Sequence, residues 1–273
     1  MDVPHIPAHS LPTPTHGSGG RGSFTVACGT HINAPPLACF RIVLHGSSYP
    51  EWNRFCRRCI PETGSARQQR ASGDSLMRAQ TGSVAVDRDG QTAAADGDAI
   101  PAGPGYLTLG TKFVFDVHMD LDEEAGSADA NNQTVTGRAT SLEVSILEAI
   151  TADQDDGGDR NKTQRRSDSE TVLGDRKRKT GIKRGKGWRV AWKTRGMPGW
   201  MLCSERVQEF WEADDGSGTE YVCWETFYGM LAPVVRWAVG EKLKRGFGAW
   251  SEDLKKRAEG GTVQEGPGQP DIN

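Results

Sequence analysis

The sequence predicts an α+β fold: a curved antiparallel sheet of about six or seven strands, two short helices, and a long C-terminal helix packed against the sheet. Two observations carry this prediction. Residues 200–213 and 219–228 interleave aromatic and β-branched side chains with polar ones, and the Asp-Asp-Gly-Ser-Gly between them suits a tight turn. Residues 231–259 then repeat apolar side chains at steps of three and four, which is typical of one helical face.

The long helix needs a sheet to cover it. At 1.5 Å per residue it would extend for about 43 Å. Gly240 and Gly246 lie at or near its apolar face, and each helical glycine costs about 1 kcal/mol relative to alanine. A missing side chain at these points leaves room for a ligand or for a closely approaching strand. The predicted apolar face consists of Val235, Val239, Leu243, Phe247, Trp250, Leu254 and Ala258.

The elements before the helix follow from local patterns. Residues 23–34 alternate as a first strand, Pro35 and Pro36 open a short helix, and residues 49–55 form a second helical turn. Later segments predict an edge strand at residues 83–86 and strands at 113–119, 141–150 and 188–193. Together they predict one domain over residues 23–260. Residues 1–22 and 261–273 are predicted to be disordered tails, and about 61–104 and 151–186 disordered insertions.

The composition of the chain limits the cellular compartments and the partners that we expect for it. The net charge is −3, and no apolar run approaches the about 18 residues that a membrane-spanning helix needs. The first residues lack the apolar stretch of a secretory signal. We therefore expect an intracellular protein, cytoplasmic or nuclear, without a signal peptide or transmembrane segment. The sequence does not indicate an oligomeric state.

A basic run lies in the second insertion, at Arg176, Lys177, Arg178 and Lys179. Our preferred interpretation is a solvated loop. The alternatives are a nuclear-import signal and a contact with an acidic partner or an anionic membrane surface. Nucleic-acid binding is not favoured, because no aromatic side chains interleave with these charges.

The six cysteines are expected to be reduced thiols. Cys203 and Cys223 fall on the two predicted hairpin strands, where a bridge is the alternative to two small buried apolar residues. Cys56 and Cys59 form one CxxC, which by itself falls short of the four ligands of a structural zinc site. No cofactor or metal is predicted.

Three ordered segments carry a resemblance to a known superfamily: residues 31–58, with the Ala-Pro helix and the sequence Tyr-Pro-Glu-Trp-Asn, residues 191–210, and residues 219–233. The chain resembles the START-like superfamily, also called SRPBCC or Bet v 1-like, and within it fungal polyketide cyclase/dehydrase-like or coenzyme Q-binding START-like proteins. The resemblance implies the helix-grip fold, which hosts lipid carriers, cyclases and receptors. It covers about half of the chain.

A sheet curled around one helix leaves space for a hydrophobic ligand. No catalytic residue is predicted, because the chain has no nucleophile elbow, P-loop or zinc-protease motif. Simple strand alternation allows Glu205 and Glu225 to point into the space together, whereas the preferred alternative pairs one or both with surface bases. The candidate cavity residues are Phe113, Phe115, Val117, Trp192, Met201, Glu205, Glu225, Phe227, Phe247 and Trp250.

The function predicted from the sequence is binding or transport of a lipid-like or polycyclic hydrophobic molecule beneath the C-terminal helix. Two alternatives stay open. One is a polyketide cyclase/dehydratase-like enzyme that uses a cavity Glu, His or Tyr, although the sequence favours a non-enzymatic role. The other is an interaction protein that acts through its basic insertion.

Overall fold

The computed structural model describes residues 2–16, 22–62, 100–101, 103–121, 137–151 and 185–260. Within these ranges we number the strands β1 to β8 and the helices α1 to α3 in chain order. The helices are α1 (Pro36–Leu44), α2 (Tyr49–Trp52) and α3 (Ala232–Gly260). The strands are β1 (Asp2–His5), β2 (Phe24–Ile32), β3 (Cys56–Pro61), β4 (Lys112–Val117), β5 (Arg138–Thr151), β6 (Lys186–Thr194), β7 (Cys203–Glu212) and β8 (Thr219–Tyr228).

The strands form one antiparallel sheet in the order β1-β2-β8-β7-β6-β5-β4-β3. One face of this sheet packs on α3, and the two short helices lie between β2 and β3. The predicted α+β class is therefore confirmed. The apolar face of α3 is buried from Leu243 onward, whereas Val235 and Val239 near the start of the helix are only half-buried.

Two strands were not expected from the sequence. β1 pairs with β2 at one edge, and β3 pairs with β4 at the other. Both have weak signals: β1 contains a proline, and β3 carries two arginines and shifts its register between Cys56 and Arg58.

The prediction of a disordered tail over residues 1–22 is wrong for residues 2–16. Residues 6–16, which we call the N-terminal strap, begin beside α3 at Ile6 and lie on the opposite face of the sheet by Leu11. The amide of Leu11 donates to Thr25 Oγ1 at 2.8 Å, its carbonyl accepts from Thr226 Oγ1 at 2.7 Å, and Trp224 Nε1 donates to the Pro12 carbonyl at 3.1 Å. The buried Leu11 side chain covers a small apolar cluster formed by Ala27, Ala191, Val207, Val222 and Trp224.

The space beside Gly246, where a side chain would otherwise lie, is occupied by another residue of the protein. A β-carbon on Gly246 would lie within 2.6 Å of three ring carbons of Phe55, which belongs to the segment between α2 and β3. The glycine therefore admits a closely approaching aromatic ring at this point of the core. At Gly240 a β-carbon would make only ordinary contacts, at 3.8 Å from Arg236 and Ile6.

All six cysteines are free thiols. Cys203 and Cys223 do not face each other, because Cys203 is opposite Tyr228 whereas Cys223 is opposite Gln208 and Cys28. The CxxC cysteines are both buried in β3. Across the described ranges, no group of three or more His, Cys, Asp and Glu side chains is arranged to hold a metal ion.

Several predicted features lie outside the described residues: the strand at 83–86, the basic run at 176–179, most of both insertions and the C-terminal tail. Among the helices that the structure describes, none combines the length and the apolar character that crossing a membrane requires.

Candidate functional site

The sheet separates the two glutamates on which the sequence placed its acid–base alternative. In the β7–β8 ladder, Glu205 is opposite Thr226 and Arg206 is opposite Glu225. Because neighbouring residues of a strand point to opposite faces, Glu205 and Glu225 lie on different sides of the sheet. The proposed Glu205–Glu225 pair is therefore wrong. Glu225 lies on the face that carries α3, and Glu205 lies beneath the strap.

Seven of the predicted cavity residues do meet in one cluster between the sheet and α3. Trp192 lies at its centre, with ring centroids 6.0 Å from Phe113, 5.6 Å from Phe115 and 6.2 Å from Trp250. These four side chains are almost completely buried, so they form packed core at the middle of the sheet. The seven are Phe113, Phe115, Val117, Trp192, Phe227, Phe247 and Trp250.

The prediction that Met201 lines the cavity is wrong. It lies in the turn between β6 and β7, where it is half-buried, and its carbonyl accepts a hydrogen bond from the Leu231 amide at 2.9 Å. It therefore joins this turn to the start of α3 and stays outside the aromatic cluster.

The central polar residue of the interior is Arg206, which the sequence interpretation wrongly counted among the surface bases that could pair with Glu205 or Glu225. Its side chain is 3% exposed, and its guanidinium carbon lies 4.2 Å from the ring centroids of both Phe247 and Trp250. Its Nε donates to Cys223 Sγ at 3.2 Å. Aromatic faces stabilise a desolvated cation by about 2 kcal/mol, but they leave its N–H groups without acceptors.

The interior contains an excess of hydrogen-bond donors. Gln208 Oε1 accepts a hydrogen bond from the Tyr221 hydroxyl at 2.6 Å, and Asn53 Oδ1 accepts from two backbone amides. The side-chain amide nitrogens of Gln208 and Asn53 have no acceptor. Each buried donor without an acceptor costs about 1–3 kcal/mol. Among the described residues, the buried side-chain polar atoms without a partner are all nitrogens: Trp52 Nε1, Asn53 Nδ2, Arg206 Nη2, Gln208 Nε2 and Trp250 Nε1.

A pair of thiols completes the interior cluster. Cys28 and Cys223 are direct neighbours on β2 and β8, and Cys28 Sγ lies 3.1 Å from Ser251 Oγ of α3. Burial opposes ionisation of Cys223, but the hydrogen bond from Cys28 and the charge of Arg206 outweigh it and lower the pKa of Cys223 to about 7. The Cys223 sulfur is thus the acceptor that the structure supplies to Arg206 Nε.

Glu225 is the partly exposed carboxylate on the face of the sheet that carries α3. It retains exposed surface, accepts a hydrogen bond from Ser204 Oγ at 2.5 Å, and forms no ion pair with Arg206 among the contacts of the described residues. Burial raises the pKa of its carboxyl group, against the opposing charge of Arg206. Leu202, Val235 and Val239 are half-buried and pack against the same core.

Two short helices and six further strands follow β2, the sheet places β2 beside β8, and α3 closes its concave face. This is the helix-grip fold that the sequence predicted. No protein-family model matches the chain. The curated oxopyrrolidines biosynthesis cluster protein O of Penicillium oxalicum is 35% identical to it over an 82-residue alignment. The alignment covers 26% of this chain and 41% of that protein. The chain thus matches well under half the length of this relative.

Solved structures align over most of the chain at low sequence identity. A hypothetical protein from Helicobacter pylori aligns with 92% of this chain and 98% of its own at 10% identity and a TM-score of 0.49. The di-domain ARO/CYC protein BexL aligns with 89% of this chain and 51% of its own at 9% identity and a TM-score of 0.41. A major latex-like protein from Panax ginseng aligns with 86% and 96% at 10% identity and a TM-score of 0.38. The fold assignment rests on the helix-grip topology itself.

Proposed function

We propose that this helix-grip protein binds a small, mainly apolar molecule and holds an acceptor oxygen of that molecule at Arg206. The observation that carries the proposal is the buried guanidinium whose Nη2 has no partner, beside further donor nitrogens on Gln208 and Trp250. A carbonyl, carboxylate or enolate oxygen complements this set, because each accepts hydrogen bonds and gains from the positive charge.

We place the entry of such a ligand beneath the first turns of α3, where apolar side chains would contact its apolar part. Phe227 on β8, Leu202 before β7 and Val239 on α3 are apolar and lie at the end of the interior that Glu225 shares. A molecule that enters there meets apolar side chains first and Arg206 further in. The name of the fungal relative refers to oxopyrrolidines, and a ring carbonyl is an oxygen of the proposed kind.

The test compares three probes that share one alkyl chain: decanoate, 2-decanone and decylamine, each titrated calorimetrically into the full chain. We expect decanoate and 2-decanone to bind at least about tenfold more tightly than decylamine, since a hydrogen bond to a charged group contributes about 1.5–3 kcal/mol. Arg206→Met should remove this preference. It should also fold, because an apolar side chain of similar size replaces a buried cation without a large cost.

The matched control is Arg236→Met, which removes an exposed arginine from the first turns of α3. It should bind the three probes as the wild type does. Equal affinity for all three probes in the wild type, or an unchanged preference in Arg206→Met, would contradict the proposal.

A second candidate function is enolisation of a ketone, favoured by the direct cross-strand position of Glu225 beside Arg206. Arg206 would hold the carbonyl oxygen while the Glu225 carboxylate removes a proton from the α-carbon. The C–H bond breaks, the enolate forms at Arg206, and Glu225 returns the proton to carbon or to oxygen. Deuterium incorporation into 2-decanone in D₂O measures this step. Glu225→Gln should abolish protein-dependent exchange with binding retained, and a protein that binds without exchange restricts the function to binding.

The raised pKa of Glu225 also predicts how stability depends on pH. Because the folded state holds this proton more tightly than the unfolded state, its contribution is complete below the ordinary glutamate pKa of 4.5 and is lost as pH rises through the folded pKa. The wild type should therefore lose stability relative to Glu225→Gln as pH rises above about 4.5. Urea unfolding of both proteins between pH 4 and pH 8 measures the difference, and parallel curves would contradict it.

A further inference from the structure

A second cluster of reactive side chains lies on the opposite face of the sheet, where the strap ends. Cys203 Sγ at the start of β7 lies 3.3 Å from His16 Nε2, and His16 Nδ1 lies 3.6 Å from Glu205 Oε2. The His16 ring stacks on Tyr228 at a centroid distance of 4.3 Å. A thiol, an imidazole and a carboxylate therefore follow one another in contact, and Glu205 is fully buried.

The hydrogen bonds around His16 determine which ring nitrogen carries the proton. Thr15 Oγ1 donates its own proton to Glu205 Oε2 at 2.9 Å, so it can only accept at its 3.3 Å contact with His16 Nδ1. Glu205 Oε2 is an acceptor as well. Nδ1 therefore carries the proton, and the lone pair of Nε2 points at the Cys203 thiol. This is the tautomer that a general base for the thiol requires.

An apolar surface adjoins the thiol. Cys203 Sγ also contacts the Gly199 carbonyl at 3.7 Å, and Trp200 beside it is 64% exposed. The Met230 amide donates to the Trp200 carbonyl at 3.0 Å, which joins this turn to the start of α3. The exposed large apolar side chains of this region are Met197, Trp200, Met230, Leu231, Val234 and Trp237. These six side chains lie in the β6–β7 turn, in the connection between β8 and α3, and in the first turns of α3, and such exposed apolar side chains suit an apolar partner.

We propose that Cys203, His16 and Glu205 form a thiol acyl-transfer site that accepts an apolar acyl group from a thioester. His16 Nε2 takes the Cys203 proton while Sγ attacks the thioester carbonyl. The new C–S bond forms, the bond to the departing thiol breaks, and that thiol receives the proton from His16. Glu205 is a positioning residue that holds the imidazole and stabilises its charged form. The apolar surface around Trp200 holds the acyl chain.

The electrostatic surroundings of Cys203 favour a protonated thiol that a general base activates, rather than a permanent thiolate. Burial and the Glu205 carboxylate both raise the pKa of the Cys203 thiol, so the thiol keeps its proton until His16 removes it. Burial raises the pKa of Tyr228 to about 12, so the phenol stacked on His16 stays neutral. Lys193 is opposite Glu205 on β6, and Glu143 of β5 is opposite Lys193 in turn. This site shares no residue with the interior around Arg206, so the two proposals fail independently.

The test uses the full chain with decanoyl and acetyl thioesters of N-acetylcysteamine. Intact-mass spectrometry follows acylation, and peptide mapping locates it. We expect one decanoyl group on Cys203, none on Cys203→Ser, and slower transfer from the acetyl probe. Trp200→Ser should slow decanoyl transfer several-fold and leave acetyl transfer unchanged. Labelling of another cysteine, or equal rates for both probes, would overturn the site as drawn.

His16→Gln should lower the rate at pH 7 by about 100-fold or more, which is the usual range for losing a general base. The matched control is His31→Gln. It removes a histidine of β2 that pairs with Glu220 at the opposite end of β8 from Tyr228, and it should leave the rate unchanged. Glu205→Gln should alter the pH dependence of the rate, because it removes the carboxylate that contacts the imidazole. A wild-type rate that rises only with ionisation of the thiol itself would contradict the role of His16 even if His16→Gln failed to fold.

Discussion

Removal of residues 2–16 should lower the free energy of unfolding by roughly 4 kcal/mol, which is a large part of the total stability of a domain. Leu11 and the surfaces of Trp224 and Val222 beneath it are buried by the strap, and burial of each such side chain contributes about 1.5–3 kcal/mol. β1 also leaves the edge of β2, which exposes an unpaired strand. We therefore expect weaker stability together with a tendency to associate.

Urea unfolding followed by tryptophan fluorescence measures this effect, because Trp224 lies directly beneath the strap. Leu11→Ala should reproduce about half of the loss, since it removes the apolar cover and leaves the backbone hydrogen bonds in place. His9→Ala is the control within the same segment, because His9 is exposed. A deletion protein within 1 kcal/mol of the wild type would show that residues 6–16 contribute little to stability.

Gly246→Ala should destabilise the protein although alanine is the better helix former. The added β-carbon would overlap the buried ring of Phe55, with three ring carbons closer than 2.7 Å. Overpacking of a core costs about 1–3 kcal/mol, and the clash must also outweigh the about 1 kcal/mol gained in helix propensity. We expect a net loss of about 2 kcal/mol in urea unfolding.

Gly240→Ala is the matched control in the same helix. Its β-carbon would meet only ordinary contacts at 3.8 Å, so the variant should gain up to about 1 kcal/mol. Phe55→Leu should rescue Gly246→Ala in the double variant, since the smaller side chain vacates the volume that the methyl group needs. Equal stabilities for the two alanine variants would contradict the assignment of Phe55 to this space.

The sequence pattern of β7 explains why the buried position of Arg206 could not be predicted. One face of the strand carries Ser204, Arg206, Gln208 and Phe210, and the other carries Cys203, Glu205, Val207 and Glu209. Both sets mix polar with apolar residues, so alternation could not decide which set faces α3. The contact of Arg206 with Phe247 and Trp250 of α3 decided which set faces the helix, and the register of Arg206 opposite Glu225 placed Glu205 on the other face.

The cysteines show the same limit on a smaller scale. The hairpin correctly placed Cys203 and Cys223 on neighbouring strands, but their register differs and they lie on different faces. The partner of Cys223 is Cys28, almost two hundred positions earlier in the chain, which comes close only because β2 closes the sheet beside β8. Local periodicity carries no information about such a pairing.

The sequence by itself determined the elements whose signals are local: the hairpin turn at 214–218, the strand Thr219–Tyr228, and the helix Ala232–Gly260 with its buried face. It also indicated the aromatic residues of the core, since large apolar side chains are buried wherever the chain places them. Tertiary structure alone decided that the strap covers the outer face and that Arg206 lies between two aromatic rings with its Nη2 lacking a partner. It also brought His16 to Cys203. Each of these depends on which strands become neighbours, and long-range packing sets that order.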